Sequence, residues 1–142
     1  MARRVLIMGA GLGYRFAVIV TAAAVSLLLL GALAVFQALL VAGQPLGRFA
    51  WGGQHEVLPA RLRTSSAVSI GLYAVFAVLI LQAAGTLSIL PDGVGGVAIW
   101  VLAAYFVLGI GMNAVSRSRP ERLVMTPVVA VLAAACLVLA VH

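Results

Sequence analysis

One short stretch gathers most of the side chains that could do chemistry in this chain: residues 47–63, GRFAWGGQHEVLPARLR. It contains the adjacent pair His55 and Glu56, and because histidine titrates near neutral pH, the pair could act as a general acid and base. HEVLP also begins like the zinc motif H-E-x-x-H, but Pro59 stands where the second histidine belongs and the other histidine is His142. This excludes a helical two-histidine zinc site and a bis-histidine haem within a bundle. Adjacent side chains usually point apart and no nucleophile accompanies the pair, so catalysis is the third hypothesis and no catalytic residue is assigned.

The same stretch is rich in arginine, which suggests anion binding. Guanidinium groups donate paired hydrogen bonds to phosphate and carboxylate groups, and Gly52 and Gly53 leave backbone amides accessible. The short polar segment before the last apolar run, residues 116–122, contains three more arginines. Together they predict an arginine-rich face that binds anionic lipid headgroups or an acidic partner segment: Arg48, Arg61, Arg63, Arg117, Arg119 and Arg122. The alternative is that these charges only orient the helices in the membrane.

The rest of the chain indicates what must position these residues. Of 142 residues, 65% are hydrophobic and 8% are charged, with a mean hydropathy of +1.23, whereas a soluble domain carries about 25% charged residues. We therefore expect an integral membrane protein. The net charge of +6 could suggest nucleic-acid binding, but the hydrophobicity of the chain argues against it.

Four apolar runs are long enough to cross a bilayer, which takes roughly 20 residues. Spanning segments without alternating polarity must be helices, because lipid offers no partner for backbone polar groups. Short connections favour antiparallel neighbours. The sequence thus predicts a single all-α domain, a polytopic transmembrane four-helix bundle with spans at about 16–41, 67–84, 97–115 and 123–141. The first run is too long for a signal peptide, so we expect it to be retained.

Arginine counting predicts an orientation. The first and third connections hold six arginines, against three on the opposite side, Arg3, Arg4 and Arg15. The positive-inside rule then places the first and third connections in the cytoplasm and both termini outside. The basic start MARR argues for the reverse, since the first helix often dominates.

The predicted spans contain no Asp, Glu, Lys or Arg at mid-depth, which disfavours ion-coupled transport. We expect Gln37, Gln82 and Asn113 to form hydrogen bonds between helices, with a substrate path as the alternative. Gln37 and Asn113 lie toward the end that carries His55 and Glu56, and the four form a candidate polar site.

No cofactor or metal is expected. GAGLGY, residues 9–14, lacks the last glycine of a dinucleotide motif and no β-α-β pattern follows. Cys136 is the single cysteine, which excludes an intrachain disulfide and a cysteine metal site, and we expect it to be a buried, inert thiol.

The segments GRFAWGGQHEVLPARLR and MNAVSRSRPERLVMTPV, residues 47–63 and 112–128, resemble those of small four-span bacterial membrane proteins of unknown function. The resemblance covers most of the chain and implies the architecture without any activity. It is carried by Gly52, Gly53, Pro59, Arg61, Asn113, Ser116, Ser118, Glu121, Arg122, Thr126 and Pro127. Within it, we expect Arg117 or Arg122 to pair with Glu121 or to reach Glu56.

These observations rank the functional hypotheses. The first is a non-enzymatic protein of the bacterial inner membrane that binds anionic lipid or a partner membrane protein through its arginine-rich face. The alternative is a small oligomeric transporter or channel subunit for an anion or a small solute. The bacterial assignment follows from the arginine-only basic set and the abundant Ala, Val and Gly, which are typical of a high-GC genome.

Overall fold

The computed structural model describes the backbone of residues 2–142 and the side chains of residues 11–91 and 93–142. Over this part of the chain the regular structure is helical, without strands, and four helices are long: α1 (Ala2–Val41), α2 (Ala60–Ala83), α3 (Asp92–Ala114) and α4 (Arg119–Val141). Each is long and apolar enough to cross a membrane. The predicted all-α four-helix architecture is confirmed, and the chain is a multi-pass membrane protein.

The helices pack as an antiparallel bundle around an apolar core. α1 packs against α2 and α4, α3 packs most extensively on α4, and α2 and α3 touch less. The core is filled by Leu30, Ile80, Leu102, Phe106, Leu132 and Cys136. The thiol of Cys136 is fully buried, as expected. Outward-facing side chains such as Leu28 and Leu108 are largely exposed, which suits contact with lipid.

All four helices begin earlier than the apolar runs predict, at residues 2, 60, 92 and 119 instead of about 16, 67, 97 and 123. α2 starts at Ala60, so Arg61 and Arg63 lie in its first turn and not in a connection ending at residue 66. α3 starts at Asp92, and Pro91 stands directly before it as the N-cap residue. Hydropathy finds the part of a helix that lies in lipid, whereas polar residues continue the same backbone hydrogen bonding beyond it. Pro120 lies in the first turn of α4, where proline is well tolerated.

The connection between α1 and α2, residues 42–59, is called loop one. It contains two short 3₁₀ turns, Gly47–Phe49 and Trp51–Gly53. Loop one and the α3–α4 turn, residues 115–118, lie at the same end of the bundle, called the loop-one end. At the opposite end, the Arg15 guanidinium donates to the backbone carbonyl of His142 over 3.3 Å. The grouping of all six arginines of the predicted face at one end is therefore a property of the fold.

Candidate functional site

Loop one is folded against the start of α4 and is more than a tether between two helices. The Ser118 hydroxyl donates to the backbone carbonyl of Arg48, and the Gly52 amide donates to Oε2 of Glu121 over 3.0 Å. Within the loop, the Gly47 amide donates to the carbonyl of Glu56 over 2.9 Å. These bonds hold the loop as an ordered cover over the helix ends.

The tip of the cover uses left-handed backbone conformations. Gly53 has φ of +68°, and a Cβ there would lie 2.5 Å from Cβ of Ser118, so only glycine allows this close approach. Trp51 also has a positive φ, of 55°, which is unusual for a bulky side chain. Its indole is fixed because Nε1 donates to the buried hydroxyl of Ser66 over 3.1 Å. Strain of this kind persists only where surrounding contacts hold it, and it is concentrated at functional sites.

Glu121 lies beneath the cover, in the first turn of α4. Its amide donates to the Ser118 hydroxyl over 3.4 Å, which makes Ser118 the N-cap. The carboxylate is only 9% exposed, and its Oε2 accepts from the Ser116 hydroxyl as well as from the Gly52 amide. A helix N-terminus favours negative charge at this position.

The expected ion pairs are not formed among the side chains that the structure describes. Arg122 does not pair with Glu121 and instead donates to the carbonyl of Ser116 over 3.4 Å. Arg117 is exposed, and so is Glu56. The prediction is wrong because Glu121 turns inward beneath loop one, while the arginines around it turn toward the surface.

A cavity of about 210 Å³ lies under Trp51 and is lined by residues of all four helices and of loop one. It occupies the loop-one end of the bundle, beside the less extensive contact between α2 and α3. Its polar lining residues are Gln37, Ser69, Tyr73, Asn113 and Glu121, and its aromatic ones, besides Tyr73, are Phe36, Phe49, Trp51, Tyr105 and Phe106.

The amide oxygen of Gln37 has no partner in this cavity. Gln37 is 8% exposed, its Nε2 donates to the Tyr73 hydroxyl over 3.5 Å, and its buried Oε1 makes no hydrogen bond. Leaving a buried acceptor unpaired costs about 1–3 kcal/mol. Buried polar groups are rarely left unpaired in native proteins, so this atom is a candidate acceptor for a bound donor.

The three amide side chains expected to join helices behave differently. Gln37 does join α1 to α2 through Tyr73, as predicted. Asn113 donates from Nδ2 to the carbonyl of Gly109 in its own helix over 2.8 Å, and Gln82 bonds to backbone groups of the connection just before α3. The prediction is wrong for these two because each finds a nearer backbone group.

A second, larger cavity of about 680 Å³ adjoins the first along α3. Five residues line both: Trp51, Tyr105, Gly109, Asn113 and Glu121. This larger cavity, the groove along α3, continues past Leu108 and Met112, which are 71% and 76% exposed on the lipid-facing side of the helix. It also reaches Ser116 and Arg117. The inner cavity therefore adjoins a groove that faces the surrounding membrane.

The structure separates the predicted site residues into two groups. Gln37 and Asn113 line the cavity together. His55 and Glu56 are exposed in loop one and do not line it, so the structure does not bring the four predicted polar residues together. The neighbouring carboxylate in the cavity is Glu121.

The six arginines surround the loop-one end without entering the inner cavity. Arg48, Arg61, Arg117 and Arg119 are exposed, with the Arg48 guanidinium 4.8 Å from the centre of the Phe49 ring. Arg63 is half-buried, and its Nε donates to the carbonyl of Leu58 over 2.9 Å.

Sequence reasoning missed Glu121 and Trp51 as site residues. A signal for Glu121 was present, since Ser118-x-x-Glu121 before an apolar run is a capping-box pattern that places the glutamate in the first helical turn. No comparable signal identifies Trp51, because its role depends on how loop one folds.

Comparison with protein-family models, with curated proteins and with solved structures finds no match to this chain. Among the described residues, no group of three or more His, Cys, Asp or Glu side chains is placed to hold a metal ion. The geometry of the loop-one end is thus the basis for a functional assignment.

Proposed function

We propose that this chain is a non-enzymatic protein of the bacterial inner membrane whose arginine-rich end binds anionic lipid headgroups. The observation that carries the proposal is the distribution of charge at the loop-one end. Six arginines lie there with two carboxylates, of which Glu56 is exposed and Glu121 is buried beneath loop one. The outer surface of this end is therefore strongly cationic.

The position of the arginines suits the headgroup layer of a membrane. Arg61 and Arg119 lie in the first turns of α2 and α4, next to long apolar segments. Their flexible stems can lie along apolar surface while the guanidinium groups reach the phosphates. Each arginine near an anionic surface contributes about 1 kcal/mol. The positive-inside rule would place this end at the cytoplasmic leaflet.

The test is retention of anionic lipid by the purified protein, measured by native mass spectrometry after incubation with phosphatidylglycerol. The double variant Arg61→Gln/Arg119→Gln removes two exposed cations and leaves the inner cavity intact. We expect retention to fall roughly tenfold or more. Arg15→Gln, at the opposite end, serves as the matched control and should leave retention unchanged. Equal retention by the double variant and the wild type would refute the proposal.

A second candidate function is transport of a small solute, which is supported by the position of Gln37 and Asn113 in one cavity. Below the cavity, the bundle is filled by core side chains such as Ile80 and Leu132, so transport would need a second conformation. Solute flux into proteoliposomes that is lost in Gln37→Leu would support this function.

A further inference from the structure

We propose that the inner cavity binds a primary ammonium group, carried either by a lipid headgroup or by a free amine. This site lies beside the arginine surface and is opposite to it in charge preference. It is built from Glu121, Gln37 and Asn113 under the cover of Trp51.

The lining of the cavity is complementary to a hydrogen-bond donor that carries positive charge. No arginine, lysine or histidine lines it, and Glu121 gives it a formal negative charge. Oε1 of Gln37 is buried and unpaired. Asn113 uses its Nδ2 on Gly109, which leaves its Oδ1 as an acceptor. An ammonium group has three donors and no acceptor, so these three side chains match its requirements, whereas an anion would meet acceptors and a carboxylate.

Aromatic rings supply the second component of such a site. Phe36, Phe49, Trp51, Tyr73, Tyr105 and Phe106 all line the cavity. Aromatic faces attract cations, and the attraction strengthens when the cation is desolvated. A carboxylate beside aromatic rings therefore favours an organic cation over a neutral solute of the same size.

The size of the cavity restricts the ligand to a small group. Its volume is about 210 Å³, and a dry cavity of about 150 Å³ is known to hold one benzene molecule. An ethanolammonium group fits this space and a complete lipid does not. The inner cavity thus holds the cationic part of any larger ligand.

The groove along α3 provides room for the rest of a lipid. It shares Glu121 and Asn113 with the inner cavity and continues beside Leu108 and Met112, whose exposed side chains suit acyl chains. Arg117 lines the same groove and can meet a phosphate. An amine-bearing phospholipid would thereby place its ammonium inside, its phosphate at Arg117 and its chains in the membrane.

The experiment is isothermal titration of the purified full chain in a non-ionic detergent with two probes, ethanolamine and lysophosphatidylethanolamine. Lysophosphatidylglycerol of the same chain length is the control probe without an ammonium group. We expect lysophosphatidylethanolamine to bind more tightly than lysophosphatidylglycerol to the Arg61→Gln/Arg119→Gln background. Binding of ethanolamine with comparable affinity would assign the site to free amines, and binding of the lipid alone would assign it to headgroups.

The variants locate the ammonium. Glu121→Gln keeps an oxygen to accept from Gly52 and Ser116 but removes the charge, and we expect the dissociation constant to rise about tenfold or more. Glu56→Gln makes the same change on the exposed carboxylate of loop one and should leave the dissociation constant within about twofold of the wild-type value. Gln37→Leu removes the unpaired oxygen without touching the α4 cap, so it tests the site even if Glu121→Gln folds poorly, and it should weaken binding about fivefold.

Two results would overturn the proposal: no binding of either ammonium probe, or equal affinities in Gln37→Leu, Glu121→Gln and Glu56→Gln. The outcome is independent of the proposed function. Retention of phosphatidylglycerol should not change in Gln37→Leu, and ammonium binding to the inner cavity should persist in the double arginine variant.

Discussion

Each end of the bundle contains a glutamine in a long helix, and the two differ in how many of their hydrogen bonds are made. Gln82, near the end of α2, donates to the carbonyl of Leu90 over 3.2 Å and accepts from the amides of Ile89 and Leu90 over 2.7 and 3.1 Å. Gln37, at the loop-one end, makes one long bond to Tyr73 and leaves its oxygen unpaired. Gln82 holds the connection between α2 and α3 in place, whereas Gln37 leaves its oxygen free to accept from a ligand.

The difference shows how the same residue type serves structure at one end and recognition at the other. At the Gln82 end, the side chain replaces the backbone partners that the connection between α2 and α3 lacks. At the loop-one end, loop one satisfies its own backbone through Gly47, Ser118 and Glu121, so Gln37 is not needed for that purpose. The following substitutions test this contrast.

Gly53→Ala should have the largest effect on stability. The added methyl group would lie 2.5 Å from Ser118 in a backbone of φ +68°, and we expect the free energy of unfolding to fall by about 2–4 kcal/mol. Denaturation in mixed detergent and dodecyl sulfate micelles, followed by circular dichroism, measures it. Gly52→Ala is the matched control, because Gly52 has a similar φ but no atom within 4 Å of its Cβ position. Equal losses in the two variants would show that the contact with Ser118 is unimportant.

Gln82→Leu should be the next most damaging change. It removes three hydrogen bonds and leaves the half-buried amide of Leu90 without its partner, so we expect a loss of about 2 kcal/mol in the free energy of unfolding. The same denaturation assay applies. An unchanged midpoint would mean that water replaces Gln82 at this end, and the contrast with Gln37 would disappear.

Trp51→Phe should cost less. It keeps an aromatic ring over the cavity but removes the bond from Nε1 to the hydroxyl of Ser66, which contributes about 1 kcal/mol. Thermal unfolding should show the loss, and Trp100→Phe, on a half-exposed site of α3, should not. If both substitutions lower stability equally, the indole bond does not hold the cover.

Gln37→Leu should have the smallest effect on stability, within about 0.5 kcal/mol or slightly stabilising. It removes a buried oxygen that has no partner, which is a gain, and one long bond to the Tyr73 hydroxyl, which is a small loss, so the two effects nearly cancel. Paired with Gln82→Leu in one denaturation experiment, it compares the two ends directly. A loss as large as that of Gln82→Leu would assign Gln37 a structural role.

The parts of the fold that depend on the membrane could be predicted from the sequence. Hydropathy predicts four helices and the burial of Cys136, because lipid imposes helices on long apolar runs, and the short connections predict their antiparallel order. Helix ends were missed at Ala60 and Asp92, since polar residues continue a helix beyond the lipid without changing its hydrogen bonding.

The site was less predictable because it depends on contacts between distant segments. The pairing of Gly52 with Glu121 joins residues far apart in the chain, and no local pattern specifies it. His55 and Glu56 attracted notice by their chemistry, yet they are exposed, while Glu121 is buried under the same loop. Charge and spacing show which groups could react, and only the folded loop shows which of them share a cavity.

The placement of Trp51 also gives the molecule an internal optical reporter. The chain has two tryptophans: Trp51 lines the cavity, and Trp100 is 49% exposed on α3. With Trp100 replaced by phenylalanine, the remaining tryptophan fluorescence arises from the cavity wall alone. Its emission maximum and its quenching would then follow the arrival and departure of an occupant in real time, in an intact bilayer and without any attached dye.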